Sequence, residues 1–78
     1  SINADSLFQG FNLPIKSSDS LTYKMEVLKN YLEDQIGIDD LIKVFQELKT
    51  GDLKIELGKN SHLIPTITQL IFLEDLVY

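Results

Sequence analysis

Only a few residues in this chain could do chemistry, and each is better explained without it. His62 is the single histidine. A general base of this kind needs an oriented nucleophile beside it, and the chain has no cysteine. Placed at the start of a helix, His62 reads as a surface or capping residue. Three acidic pairs, Glu33-Asp34, Asp39-Asp40 and Glu74-Asp75, could suggest metal binding or acid–base work. Adjacent residues on a helix do not face each other. The pairs also fall on polar faces or near helix ends, where solvated charge accounts for them. Asp39-Asp40 in particular suits the positive end of a helix dipole. There is no EF-hand spacing, no glycine-rich phosphate loop and no Ser/His/Asp arrangement. No catalytic activity, cofactor, metal or small-molecule substrate is therefore expected of these residues. Tyr23, Tyr31 and Tyr78 carry a polar tip on an aromatic body, which suits half-buried and interface positions. Tyr31 is expected in or beside the core, and Tyr78 at an interface.

Composition narrows the partners. The net charge is −5, and all seven basic residues are lysine. Nucleic-acid and phosphate recognition draws on clustered positive charge and on the forked guanidinium, so neither is expected. Anionic membranes call for a basic amphipathic face, which is also missing. No apolar run approaches the ~18 residues that span a bilayer. The opening SINAD has neither the charged nor the apolar region of a signal peptide. A cytoplasmic setting is expected. Ser1 to Ala4 is expected to be left from a cloning tag on an excised piece. A hydrophobic fraction of 44% with 24% charged residues is that of a folded domain. At 78 residues, a core alone contributes only ~3–5 kcal/mol. Disulfides cannot help, so tight helix packing and a partner must.

The elements that position these residues centre on LKNYLEDQIGIDDLIKVFQEL, from Leu28 to Leu48. This stretch reads as two amphipathic helices folded back around Gly37. Ser17, Ser18, Asp19 and Ser20 offer N-caps. The first helix is expected over 20–36, with Leu21, Met25, Leu28, Leu32 and Ile36 as its buried stripe and Val27 and Tyr31 widening it. Lys24, Lys29, Asn30, Glu33 and Asp34 are assigned to water. Gly37 sits where a left-handed residue would end the helix, with a link of about two residues. The second helix opens at Ile38 or Asp39 and buries Leu41, Val44, Phe45 and Leu48, with Ile42 beside them. It stops at Thr50-Gly51. The segment 52–58, DLKIELG, alternates as a strand would, but no pairing partner is visible, and a short helix is expected. The last helix is expected over 62–76, with Pro65 in its first turn. Leu63, Ile67, Leu70, Ile71 and Glu74 share one face, while Ile64, Phe72, Leu73, Leu76 and Val77 fall outside it. A helix apolar nearly all round should be covered on more than one side. In so short a chain, either the N-terminal arm or another chain must do the covering.

The expected architecture is all-α: a small bundle with a helical hairpin, a short middle helix and a hydrophobic C-terminal helix, preceded by an extended arm. Residues 1–18 form the arm and 19–78 the interaction domain. The partner-binding residues are expected to be Phe72, Leu73, Leu76 and Tyr78 on the last helix, and Phe11 on the arm. The partner is another protein, or a second copy if this is the homodimerisation domain of a scaffold protein.

The order of motifs resembles the small helical domain at the far C-terminus of NIMA-related serine/threonine protein kinases. Leu28, Tyr31, Leu32, Glu33, Ile36 and Gly37 match a first motif of the type LxxYLExxLG. Phe45 and Leu48 match the second helix, and Leu57, Gly58, His62, Leu63, Leu70 and Asp75 the closing part. The resemblance covers roughly Met25 to Tyr78. Pro65 inside the last helix and Ile36 in place of leucine depart from the pattern. The resemblance implies a kinase domain upstream and a ciliary, basal-body or centrosomal location. It also implies that this domain recruits the kinase to a partner, which for some members is a leucine-rich-repeat ciliary protein.

Overall fold

The computed structural model describes Phe8 and residues 11–78. The expected tag remnant, Ser1 to Ala4, and most of the first ten residues of the arm lie outside the described residues. The described part is a small all-α bundle of three helices: α1 (Leu21–Ile36), α2 (Ile38–Thr50) and α3 (Ile64–Val77). A 3₁₀ turn, Gly58–Leu63, leads into α3. α1 packs on α2, α2 on α3, and the 3₁₀ turn on both α1 and α3.

α1 begins where the serine cluster predicts. Ser20 is extended, and its hydroxyl accepts the Tyr23 N–H at 3.2 Å, satisfying one of the helix's orphan donors. The stripe holds: Met25, Leu28 and Leu32 are buried, and Leu21, Tyr31 and Ile36 pack against them at the margins. Lys24 does not face water as expected. It is buried, and its ammonium donates to the Ser17 carbonyl at 3.2 Å. The aliphatic stem lies along apolar surface while the charged tip ties the arm to the helix. Lys29 is also only half-exposed, drawn in by Glu74 of α3 at 3.2 Å.

A single residue, rather than two, joins α1 to α2. The Gly37 N–H donates to the Glu33 carbonyl at 2.7 Å, and its own carbonyl accepts from Leu41 at 3.0 Å. Gly37 thus closes one helix and opens the next. Its φ of 86° with ψ of 150° is not the left-handed helical cap that was expected. It falls in a region that is nearly closed to any residue with a Cβ. The left-handed cap occurs instead at Gly51, with φ 78° and ψ 14°, where the chain leaves α2.

The segment 52–57 is not the expected short helix. It is irregular and keeps the alternation of its sequence only in part: Ile55 and Leu57 turn towards the core and Lys54 and Glu56 turn out, but Leu53 is exposed. Glu47 of α2 holds it there. One carboxylate oxygen, Oε1, accepts both the Lys54 N–H at 2.6 Å and the Ile55 N–H at 2.9 Å. These two bonds to its ionised form hold the Glu47 carboxyl below its ordinary pKa. The middle helical turn comes later, over Gly58–Leu63, and Asn60 pins it to α1 through a 3.1 Å bond to the Gln35 carbonyl.

Candidate functional site

The residues that might have done chemistry stay apart. His62 is exposed, with Nδ1 3.0 Å from the Lys59 carbonyl. Glu33, Asp34, Asp39 and Asp40 are all solvated. Among the described residues no group of three or more metal-ligating side chains comes together. Glu74 is the exception to solvation: its Oε1 is buried and 3.2 Å from Lys29 Nζ, in the geometry of an ion pair without a directed hydrogen bond. This pair fixes the far end of α3 against α1.

α3 is the element that matters. Pro65 lies in its first turn, where the missing N–H removes no internal bond. The inward arc is wide and takes in Ile67, Leu70, Ile71 and Leu73, while Leu63, at the end of the 3₁₀ turn, is buried beside it. Leu73 is therefore a correction to the expected docking set. At 4% exposure it belongs to the core and is closed to a partner. Sequence reasoning drew the buried face too narrowly: α3 meets both α2 and the 3₁₀ turn, and its covered arc extends to Leu73.

The opposite stripe, Pro65, Gln69, Phe72 and Leu76, faces out, following helical spacing. Phe72 is 50% exposed and Leu76 64%. Past Glu74 the helix outruns its neighbours. Asp75, Leu76, Val77 and Tyr78 are all exposed, Tyr78 at 78%. The turn is nonetheless helical to the end, since the Tyr78 N–H donates to the Glu74 carbonyl at 2.8 Å. The last turn, Asp75 to Tyr78, is thus largely exposed although three of its four side chains are apolar, and it continues the outward stripe that includes Phe72.

Phe11, the remaining expected docking residue, is half-buried and committed within the fold. Its ring meets Tyr31 edge-on, with centroids 5.2 Å apart and planes at 61°. Phe8, Leu13 and Ile15 also turn to the core. The arm therefore covers α1, and the end of α3 remains open. Ile42, expected beside the buried stripe of α2, is instead exposed and forms a second outward pair with Ile38, one turn earlier at the start of the helix. Their i, i+4 spacing on the edge of an already wide apolar arc was the available signal.

No helix of the described residues is long and apolar enough to cross a membrane. Comparison with family models, with curated proteins and with solved structures gives no match.

Proposed function

We propose that this chain is a non-catalytic protein-docking module whose contact surface is the C-terminal end of α3. One observation carries the reading: Phe72, Leu76, Val77 and Tyr78 stay in water on an ordered helix although the same chain buries Leu70, Ile71 and Leu73 beside them. Scattered exposed apolar residues are normal, but four within seven positions gather apolar surface at one helix end, and such concentrations mark interaction sites. An apolar helix face laid into a partner's groove is a recurrent recognition mode.

The resemblance to the C-terminal domain of NIMA-related kinases supplies the wider setting of the proposal. In that setting the module recruits an upstream serine/threonine kinase to a ciliary or centrosomal protein. The residues that carry the resemblance include Leu28, Tyr31, Leu32 and Gly37, all of which build the hairpin that supports α3.

The test is capture from ciliated-cell extract on the immobilised domain, with Phe72→Glu and Leu76→Glu alongside. Both variants should keep wild-type helicity by circular dichroism, because neither side chain is in the core. A leucine-rich-repeat protein retained by the wild type and lost from both variants is the expected result. Equal retention on all three proteins would refute the assignment of the surface.

A further inference from the structure

The open end of α3 restricts what can sit on it, and we infer, on the docking reading above, that its occupant is a different protein offering an apolar hollow edged by lysine or arginine, not a second copy of this chain. The first argument is area. Burying an aromatic side chain removes ~200 Å² from water and an aliphatic one ~100 Å². Phe72 and Tyr78, at 50% and 78% exposure, together with Leu76 at 64% and Val77 at 41%, then present roughly 350 Å². Two copies meeting through this patch would bury about 700 Å², below the ~1,000 Å² that a stable interface needs. A concave partner does better, because it reaches around the protruding turn and continues along the outward stripe to Gln69 and Pro65.

The second argument is charge. Each copy carries −5, so self-association brings like charges together within a Debye length of ~8 Å. From Asn60 to Tyr78 there is no lysine or arginine at all. The two carboxylates of α3 are not equivalent. Glu74 is already engaged by Lys29. Asp75 is exposed, has no ion pair with a described residue, and lies in the protruding turn between Phe72 and Tyr78 around the helix. A cation on the partner's rim meets Asp75 as the apolar side chains enter the hollow.

Two defined probes test this: amphipathic helical peptides of about 18 residues, leucine–lysine and leucine–glutamate, sharing one apolar face. Amide shifts of the isotope-labelled 78-residue chain report where each binds, and light scattering reports its own association. The leucine–lysine peptide should shift residues 72–78 saturably and weaken several-fold between ~0.05 and ~0.3 M salt. Asp75→Lys should weaken it by roughly threefold, the scale of an exposed ion pair, and Phe72→Glu should remove it. Equal binding of the leucine–glutamate peptide at 72–78 would overturn the charge assignment and leave docking intact. Shifts centred on Asp39 and Asp40 would do the same. A dimer broken by Phe72→Glu would replace the inferred partner with a second copy. Absence of α3 shifts with either peptide would overturn the docking reading itself.

Discussion

Leu73 and Leu76 are the same residue type, three positions apart on one helix, and should behave as opposites. Leu73 is 4% exposed and Leu76 64%. Leu73→Ala removes buried methyl and methylene groups and leaves a cavity between α3 and its neighbours, at a cost of about 3 kcal/mol within the usual 2–5. Leu76→Ala removes atoms that water already reaches, and should change stability by no more than ~0.5 kcal/mol. The contrast is large on the scale of the fold, since a chain of this size is stable by only ~4–12 kcal/mol in total. Urea unfolding followed by helical ellipticity measures it directly. With a slope of ~1 kcal/mol per molar urea, Leu73→Ala should lower the midpoint by about 3 M and leave Leu76→Ala close to wild type. Binding should reverse the order: Leu76→Ala weakens partner capture at full stability, while Leu73→Ala retains binding under conditions where it is folded. A Leu76→Ala variant as unstable as Leu73→Ala would show that the end of α3 is part of the core, and the docking reading would fall with it.

Two further outcomes follow from local geometry. Gly37→Ala should destabilise the hairpin by about 1–3 kcal/mol, purely through the backbone: a Cβ there would meet no atom within 4 Å, yet φ is 86°. An unchanged urea midpoint would show that the joint relaxes freely. Glu47→Gln should destabilise the protein at neutral pH, because the carboxylate is the form that accepts the Lys54 and Ile55 N–H groups. Its pKa is depressed on folding, so the wild-type advantage is complete above the unfolded value of ~4.3 and disappears as pH falls through the lower folded value. Midpoints of the two proteins compared from pH 7 down should converge in acid. A gap that is constant with pH would assign the effect to something other than ionisation.

The helices were legible because their signals are local. Ser20 caps, the stripe from Leu21 to Ile36 repeats at helical spacing, and Gly37 and Gly51 supply backbone angles no other residue takes easily. What misled was tertiary. Lys24 reads as a solvent residue until the arm brings the Ser17 carbonyl to its ammonium. The segment 52–57 has the spacing for a short helix, but a side chain from the preceding helix, Glu47, captures two of its N–H groups and keeps it irregular. Leu73 was placed outside the buried face of α3, and the arc that the bundle covers is wider than the stripe from Leu63 to Glu74. In each case the deciding partner is distant in sequence or contributed by a side chain, and periodicity contains neither.

The same reasoning explains why the open surface lies where it does. The described part of the arm turns its apolar side chains, Phe8, Phe11, Leu13 and Ile15, to the core, and Phe11 packs on Tyr31 of α1. The end of α3 is then left without cover, and its last turn continues past the Lys29–Glu74 pair, where contact with α1 ends. A chain selected only for solubility would place polar residues in that turn, since nothing in the bundle requires Leu76, Val77 or Tyr78 to be apolar. Helix stability does not require it either, because polar straight-chain residues propagate a helix as well as leucine and better than valine or tyrosine. Within the bundle, Leu76 and Tyr78 have little to pack against, at 64% and 78% exposure, and that lack of an internal role is what the docking proposal rests on.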